Sequence, residues 1–355
     1  MVIETNITKM LGIKHPIIAA PMGPFYTTHL TVAVSEAGGL GVISHASDFE
    51  RNIGETLRDT QSTLKVMKRD MEYVVEHTDK PFGFNIRTSR VQIDAPILCK
   101  EIPKFIMENP KLKEQCVYAI TSAGSSKTLP ESKSFQKLRE SGSNIKHFHV
   151  APALWLADKC VASGVDGVVI TGTEGGGHQS YEEVSTLVLL QQVLQKHPNL
   201  PVVACGGFAT GQGLASALAM GAGAVAMGSR FIASAESEFH QTYKDIVPPA
   251  RAQDTILATG AFGPIRLWKN KYAFSHPLVG SKEEKMAMEK KTTIEEFIKE
   301  SKAYRMIYDG NTDDGAVLLG QSIGIINSIE KVPDIINNIV NDAEKRLKTA
   351  NSLIK

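Results

Sequence analysis

Two glycine-rich turns carry the clearest chemistry in this sequence. Cys205-Gly206-Gly207-Phe208-Ala209-Thr210-Gly211 and Met227-Gly228-Ser229-Arg230 each follow a short apolar run. Glycines in such turns let backbone N–H groups approach an anion, and a following helix adds the positive end of its dipole. The pair reads as a phosphate site formed by Gly206, Gly207, Gly228 and Ser229; the plainer alternative is that these glycines only make tight turns. A third turn, Thr171-Gly172-Thr173-Glu174-Gly175-Gly176-Gly177-His178, sets three consecutive glycines before a histidine. Such a run costs chain entropy. Gly172, Gly176 and Gly177 would let a ligand come close to the backbone while His178 projects over it. An imidazole titrating near neutrality suits proton transfer or hydrogen bonding, against the plainer reading of a structural histidine.

Further candidates sit at the ends of other apolar runs. Ala20-Pro21-Met22-Gly23 closes the first and Asn85 the third, where an amide can meet a ligand edge that mixes donors and acceptors. Lys146 lies within the fifth: facing inward it would stabilise negative charge, and at the strand's outer end it would only be solvated. Ser122, Ala123 and Gly124 begin a small-residue loop fit to border a substrate. No metal site is expected, since the four cysteines lie far apart with no C-x-x-C pair and no H-E-x-x-H is present. The G-x-G-x-x-G and P-loop patterns are missing too, so any nicotinamide donor must bind transiently, without a Rossmann domain of its own.

These turns need a scaffold that brings strand ends together. Short apolar runs begin at His15, Gly39, Pro81, Cys116, Ile145, Val165, Pro201 and Gly223, most of them followed by a helical pattern. Uniformly apolar runs are how buried parallel strands read, and eight strand–helix units predict closure into a (β/α)8 TIM barrel. A doubly wound open sheet is the alternative. The 355 residues exceed the ~250 of a bare barrel. The division expected is a barrel over 1–235, an all-helical lid or substrate domain over 236–310, and C-terminal helices over 311–355 that return to the barrel. The lysine- and glutamate-rich run from Lys282 to Lys291 reads as a solvated helix face. A formal charge of +1 argues against nucleic-acid or anionic-membrane partners, and no signal peptide or membrane span is expected. A cytoplasmic protein with a small-molecule substrate follows, a homodimer being one option.

Taken together, these segments resemble the nitronate monooxygenase family (the former 2-nitropropane dioxygenases) and the related FMN-dependent enoyl-ACP reductases. The matching stretches are APMG with AVSEAGGLGVIS, PFGFNI, ITSAGS, GVDGVVITGTEGGGHQ, PVVACGGFATGQGLASALAMGAGAVAMGSRF, RLWKN and LLGQSIG. The resemblance implies non-covalent FMN, its phosphate on Gly206, Gly207, Gly228 and Ser229. Met22, Asn85, Lys146 and Gln321 would surround the ring and ribityl chain, with His178 on the substrate side. The family loop usually carries alanine at position 175 and often arginine-glycine after the histidine; Gly175, Gln179 and Ser180 depart from that. The activity implied first is oxidation of alkyl nitronates with oxygen to carbonyl compounds and nitrite. An NAD(P)H-dependent reduction of enoyl thioesters or quinones is the second reading, with Lys269, Lys271 or Lys282 meeting a carrier. A flavin-free lyase or isomerase barrel acting on a phosphorylated metabolite is the third.

Overall fold

The computed structural model describes residues 3–46, 60–89, 92–260, 263–289 and 302–354. All eight apolar runs form strands: β1 Ile17–Ala19, β2 Gly41–Ile43, β3 Phe82–Arg87, β4 Cys116–Ser122, β5 Lys146–Ala151, β6 Gly167–Thr171, β8 Val202–Cys205 and β9 Ala224–Met227. They pair in parallel in the order β1-β9-β8-β6-β5-β4-β3-β2. Leu40 N–H donates to Ile17 O and Ala19 N–H to Leu40 O, both at 2.9 Å, which brings the last strand back to the first. The ring is a (β/α)8 barrel, as expected.

Side chains of alternate strand residues fill its interior. Ile18, Val42, Tyr118, Ile120, Phe148, Val169, Val203 and Ala224 form one buried cluster there. Two large aromatics, Tyr118 and Phe148, meet with ring centroids 5.1 Å apart. Room for them comes from glycines on neighbouring strands: a Cβ at Gly83 would lie 2.7 Å from the Tyr118 ring, and one at Gly167 2.3 Å from Phe148. The N-terminal half of the barrel is thereby plugged, so a cavity can open only at the other end.

Helices cover the outside. Thr28–Glu36, Leu154–Ala162 and Gly211–Ala219 appear where the sequence predicts helices. The closing helix Val332–Asn351 buries Ile335, Ile336 and Ile339. Its backbone comes so close that a Cβ at Gly211 would sit 2.5 Å from Ile339 O.

The region after the barrel departs from the all-helical expectation. It contains a hairpin, β10 Thr255–Gly260 and β11 Gly263–Trp268, in antiparallel register with Thr255 opposite Trp268. A two-residue strand, β7 Gly177–His178, joins as the third member, with His178 opposite Ile265. The period-two signal was present: Ile265 and Leu267 are buried in one cluster while Arg266 points elsewhere. Arg266 Nε donates to Thr173 O at 2.6 Å, tying the hairpin to the loop before His178. A helix does form over Lys282–Glu289, with Lys282, Glu283 and Glu284 exposed, whereas the charge run from 290 onward lies outside the described residues. In the segment from Asp314 to Gly320, Asp314 and Gly315 lie in a turn and a bend, and 316–320 form neither helix nor strand, where a helix was expected. Neighbours take its backbone groups: Trp268 N–H donates to Val317 O, and Gly320 N–H to Ser229 Oγ. Only a 3-10 turn over Gln321–Ile325 follows.

Candidate functional site

The strands end in a cavity of about 1080 Å³ at the C-terminal mouth of the barrel. Inward-facing residues form its floor, among them Ala20, Val150, Val169, Cys205 and Ala226. Of the residues singled out in the sequence, Ala20, Pro21, Met22, Gly23, Asn85, Ser122, Ala123, Gly124, Gly176, Gly177, His178, Gly206, Gly207, Gly228 and Ser229 all line it. Residues spread over more than 200 positions of chain meet there because they lie in the last residues of barrel strands or in the loops that follow them.

Three candidates do not. Lys146 opens β5, opposite Tyr118, whereas the cavity begins at Val150. Four residues of strand, ~13 Å at 3.3 Å per residue, separate the two. Lys146 shares the inward parity of Phe148 and Val150 but lies at the wrong depth. Gly172 is packed under a helix: a Cβ there would fall 2.0 Å from Thr186 N, and its own N–H donates to Thr186 Oγ1. Gln321 uses its N–H on Glu174 O at 2.8 Å, and its neighbours Leu318 and Ser322 line the cavity instead.

Each wall is fixed by specific bonds. Asn85 is buried and donates through Nδ2 to Ile120 O (3.0 Å) and Ser122 Oγ (3.2 Å), so its amide oxygen is the atom it can offer a ligand donor. Met22 N–H donates to Ser44 Oγ at 2.8 Å. Gly206 and Gly207 have φ of +87° and +85°, a conformation that a side chain would strain. Glu174 does not face the chemistry: its carboxylate accepts from Thr186 N–H and Thr186 Oγ1 at the start of the helix Thr186–Lys196. The glycines before His178 also serve packing. A Cβ at Gly176 would lie 2.7 Å from Gly320 N, and one at Gly175 2.8 Å from Gln179 Nε2. Gln179 Nε2 donates to Gly175 O at 2.7 Å, so glycine at 175 and glutamine at 179 are two parts of one arrangement.

Arg87 is the functional candidate missed in the sequence. It ends β3 two residues beyond Asn85 and faces the cavity by the same parity. Its backbone N–H donates to Nδ1 of the fully buried His45 at 2.9 Å. The Nε2 of His45 therefore carries the proton and donates to Asp94 Oδ2 at 3.1 Å. Burial lowers the His45 pKa, keeping the ring neutral in this role. Charge ending an otherwise apolar strand, PFGFNIR, was the available signal.

His178 stands between the barrel mouth and the β10–β11 hairpin. Burial, reinforced by the cations Arg87 and Lys285, depresses its pKa to about 3. It is a neutral imidazole across the physiological range. Lys127, Lys159, Lys282 and Lys285 complete a basic mouth together with Arg87. Lys271 pairs with Asp314 (3.5 Å), and neither it nor Lys269 lines the cavity. Among the described residues no group of histidine, cysteine, aspartate and glutamate could hold a metal ion, and no helix is long and apolar enough to cross a membrane.

Known proteins place this geometry. The family model "Nitronate monooxygenase" matches residues 4–342. A 5-hydroxy-7a-methyl-1-oxo-octahydro-1H-indene-4-carboxyl-CoA dehydrogenase of Rhodococcus jostii is 29% identical, over 99% of both chains. A nitronate monooxygenase of Pseudomonas aeruginosa is also 29% identical, over 73% of this chain and 77% of its own. The structure of FabK from Thermotoga maritima superposes with a TM-score of 0.75 and 30% identity, over 99% of this chain and all of its own. With a matched model spanning nearly the whole chain and a shared barrel, the protein belongs to the nitronate monooxygenase family of flavin-dependent oxidoreductases.

Proposed function

We propose that the chain is an FMN-dependent oxidoreductase that acts on an acyl group carried as a thioester. The observation that carries this reading is the size and charge of the cavity. A site for one drug-sized ligand spans roughly 300–1,000 Å³, and about 1080 Å³ ringed by Arg87, Lys127, Lys159, Lys282 and Lys285 suits FMN plus a large anionic substrate. A nitronate of a few atoms needs neither the volume nor that many cations. The Rhodococcus relative named as a CoA dehydrogenase matches end to end, whereas the Pseudomonas nitronate monooxygenase covers about three-quarters of the chain.

The residues fit a flavin mononucleotide. A Cβ at Gly207 or Gly228 would meet nothing nearer than 3.7 Å, so these backbones border open space. Gly206, Gly207, Gly228 and Ser229 would hold the phosphate, and Met22 and the Asn85 amide would meet the ring. Bound there, FMN supplies storage and release of an electron pair between donor and substrate. The chain's own groups do the rest. His178 would donate an N–H to the thioester carbonyl oxygen, and Arg87 would stabilise the negative charge that gathers on it. A histidine held near pKa 3 is a weak base, so donation outweighs proton abstraction as its role.

The test is an anaerobic visible spectrum of FMN-loaded protein titrated with NADH, NADPH, alkyl nitronate and enoyl- or acyl-CoA. Reduction by a nicotinamide followed by reoxidation with an enoyl-CoA, or direct bleaching by an acyl-CoA, supports the reading. Bleaching by nitronate alone sinks it and leaves the family's named reaction, which the Arg87 and Lys285 cations around His178 also suit. For His178→Ala we expect an intact flavin spectrum with kcat/KM lower by about 10²–10⁴-fold; an unchanged rate removes His178 from the mechanism.

A further inference from the structure

We propose that the rim of the cavity beside β5 is a subsite for the adenosine diphosphate group of a bound molecule. The base would stack on Trp155 and the phosphates would meet Lys159 and Lys127. The proposal rests on the thioester reading only in supposing that the substrate's carrier, or the electron donor, contains such a group.

Trp155 lies in the first turn of the helix Leu154–Ala162 and lines the cavity mouth, yet 47% of it is exposed. A lone exposed aromatic needs no explanation. This one is set among charges. Lys159, one turn on, holds its Nζ 4.8 Å from the indole centroid. The far end of the helix is joined to the loop after β4 by a 2.8 Å bond between Ser163 Oγ and Ser126 Oγ. That bond brings Lys127, the next residue, to the same rim, where it is exposed and lines the cavity. No carboxylate pairs with Lys127 or Lys159 among the described ion pairs. An indole plane with one ammonium group beside it and a second on the same cavity rim matches a purine joined to a diphosphate. Stacking serves any base with a π-face, and lysine serves phosphate as a point charge. The rest of the ligand would then run inward toward His178. An apolar acyl chain would gain from the indole but not from the lysines.

CoA and the nicotinamide dinucleotides share this group, and the test separates them. The chain has two tryptophans, so Trp268→Phe leaves Trp155 as the single tryptophan fluorophore. Titration with ADP should quench its emission saturably, and Lys159→Ala and Lys127→Ala should each weaken binding about fivefold or more. Parallel titrations with CoA, NADH and NADPH show which source binds tightest. Quenching that does not saturate up to about 10 mM ADP, or that neither lysine variant alters, overturns the proposal. Should Trp268→Phe fold poorly, equilibrium dialysis of labelled ADP against the native chain and Trp155→Ala replaces the fluorescence: weaker binding to the variant supports the subsite, and equal binding to both overturns it. The two readings fail separately. Enoyl-CoA turnover without ADP binding removes the subsite alone, and ADP binding without thioester turnover removes the thioester alone.

Discussion

A Cβ added at Gly167, in the lower half of the barrel, would meet Phe148 at 2.3 Å; one added at Gly228, at the upper mouth, would find its nearest neighbour, Ala20 Cβ, at 3.8 Å. The same residue type serves opposite ends. Below, glycine yields its space to an aromatic of the protein's own, and the barrel is closed by packing. Above, the space is left open, and the bare backbone borders a cavity. The difference separates glycines that make room for packing from those that border open space, which a sequence alone presents as equivalent. It also predicts that substitutions at the two ends fail in different assays.

The largest effect should come from Phe148→Ala, which empties the plug. Removing a buried phenyl ring costs about 3–5 kcal/mol, read as a lower urea midpoint, with little change in FMN affinity for the molecules that remain folded. A loss of stability below about 1 kcal/mol would mean that the plug is not what closes the barrel. Gly167→Ala should follow at about 1–3 kcal/mol through overpacking, again seen in melting rather than in ligand binding. Acid should then weaken the wall between the two ends. Thr121 Oγ1 lies 2.8 Å from His147 Nε2 and 2.7 Å from His149 Nδ1, and burial lowers these histidines to about 3 and about 4. Below the ordinary histidine value the unfolded chain takes up protons that the folded one refuses. Stability is therefore full above about pH 6.5 and lost as the pH falls, by up to about 2 kcal/mol per histidine at pH 5. A melting temperature that is flat from about pH 7 to pH 5 would contradict this. The smallest change in stability should come from Gly228→Ala, within about 0.5 kcal/mol, together with a clear loss of FMN affinity by spectral titration. Retained affinity there would break the comparison.

Much of this is legible in the sequence. Buried parallel strands leave uniformly apolar runs, and βα turns leave glycines, so both the eight strands and most of the mouth could be read. What failed, failed for physical reasons. The parity of Lys146 places it on the inner face but says nothing of depth, which depends on where β5 begins against β4. Gly172 lies in the right loop, but it faces the helix that starts at Thr186. The hairpin carries a period-two pattern over two six-residue strands and was still not read, because its third partner, Gly177–His178, comes from a loop nearly ninety residues earlier. No local pattern announces a pairing of that range. Arg87 was readable and was passed over.

The pairing of His178 with Ile265 bears on how such an enzyme can be altered. The covering hairpin and the histidine are not separate modules. Residue 178 is in the third strand of the hairpin's own sheet, so a graft that exchanged the hairpin would re-aim the imidazole as well. Anyone transplanting substrate preference between members of this family should move loop 171–180 and hairpin 255–268 as one cassette. Divergence of the family is expected to have treated them the same way.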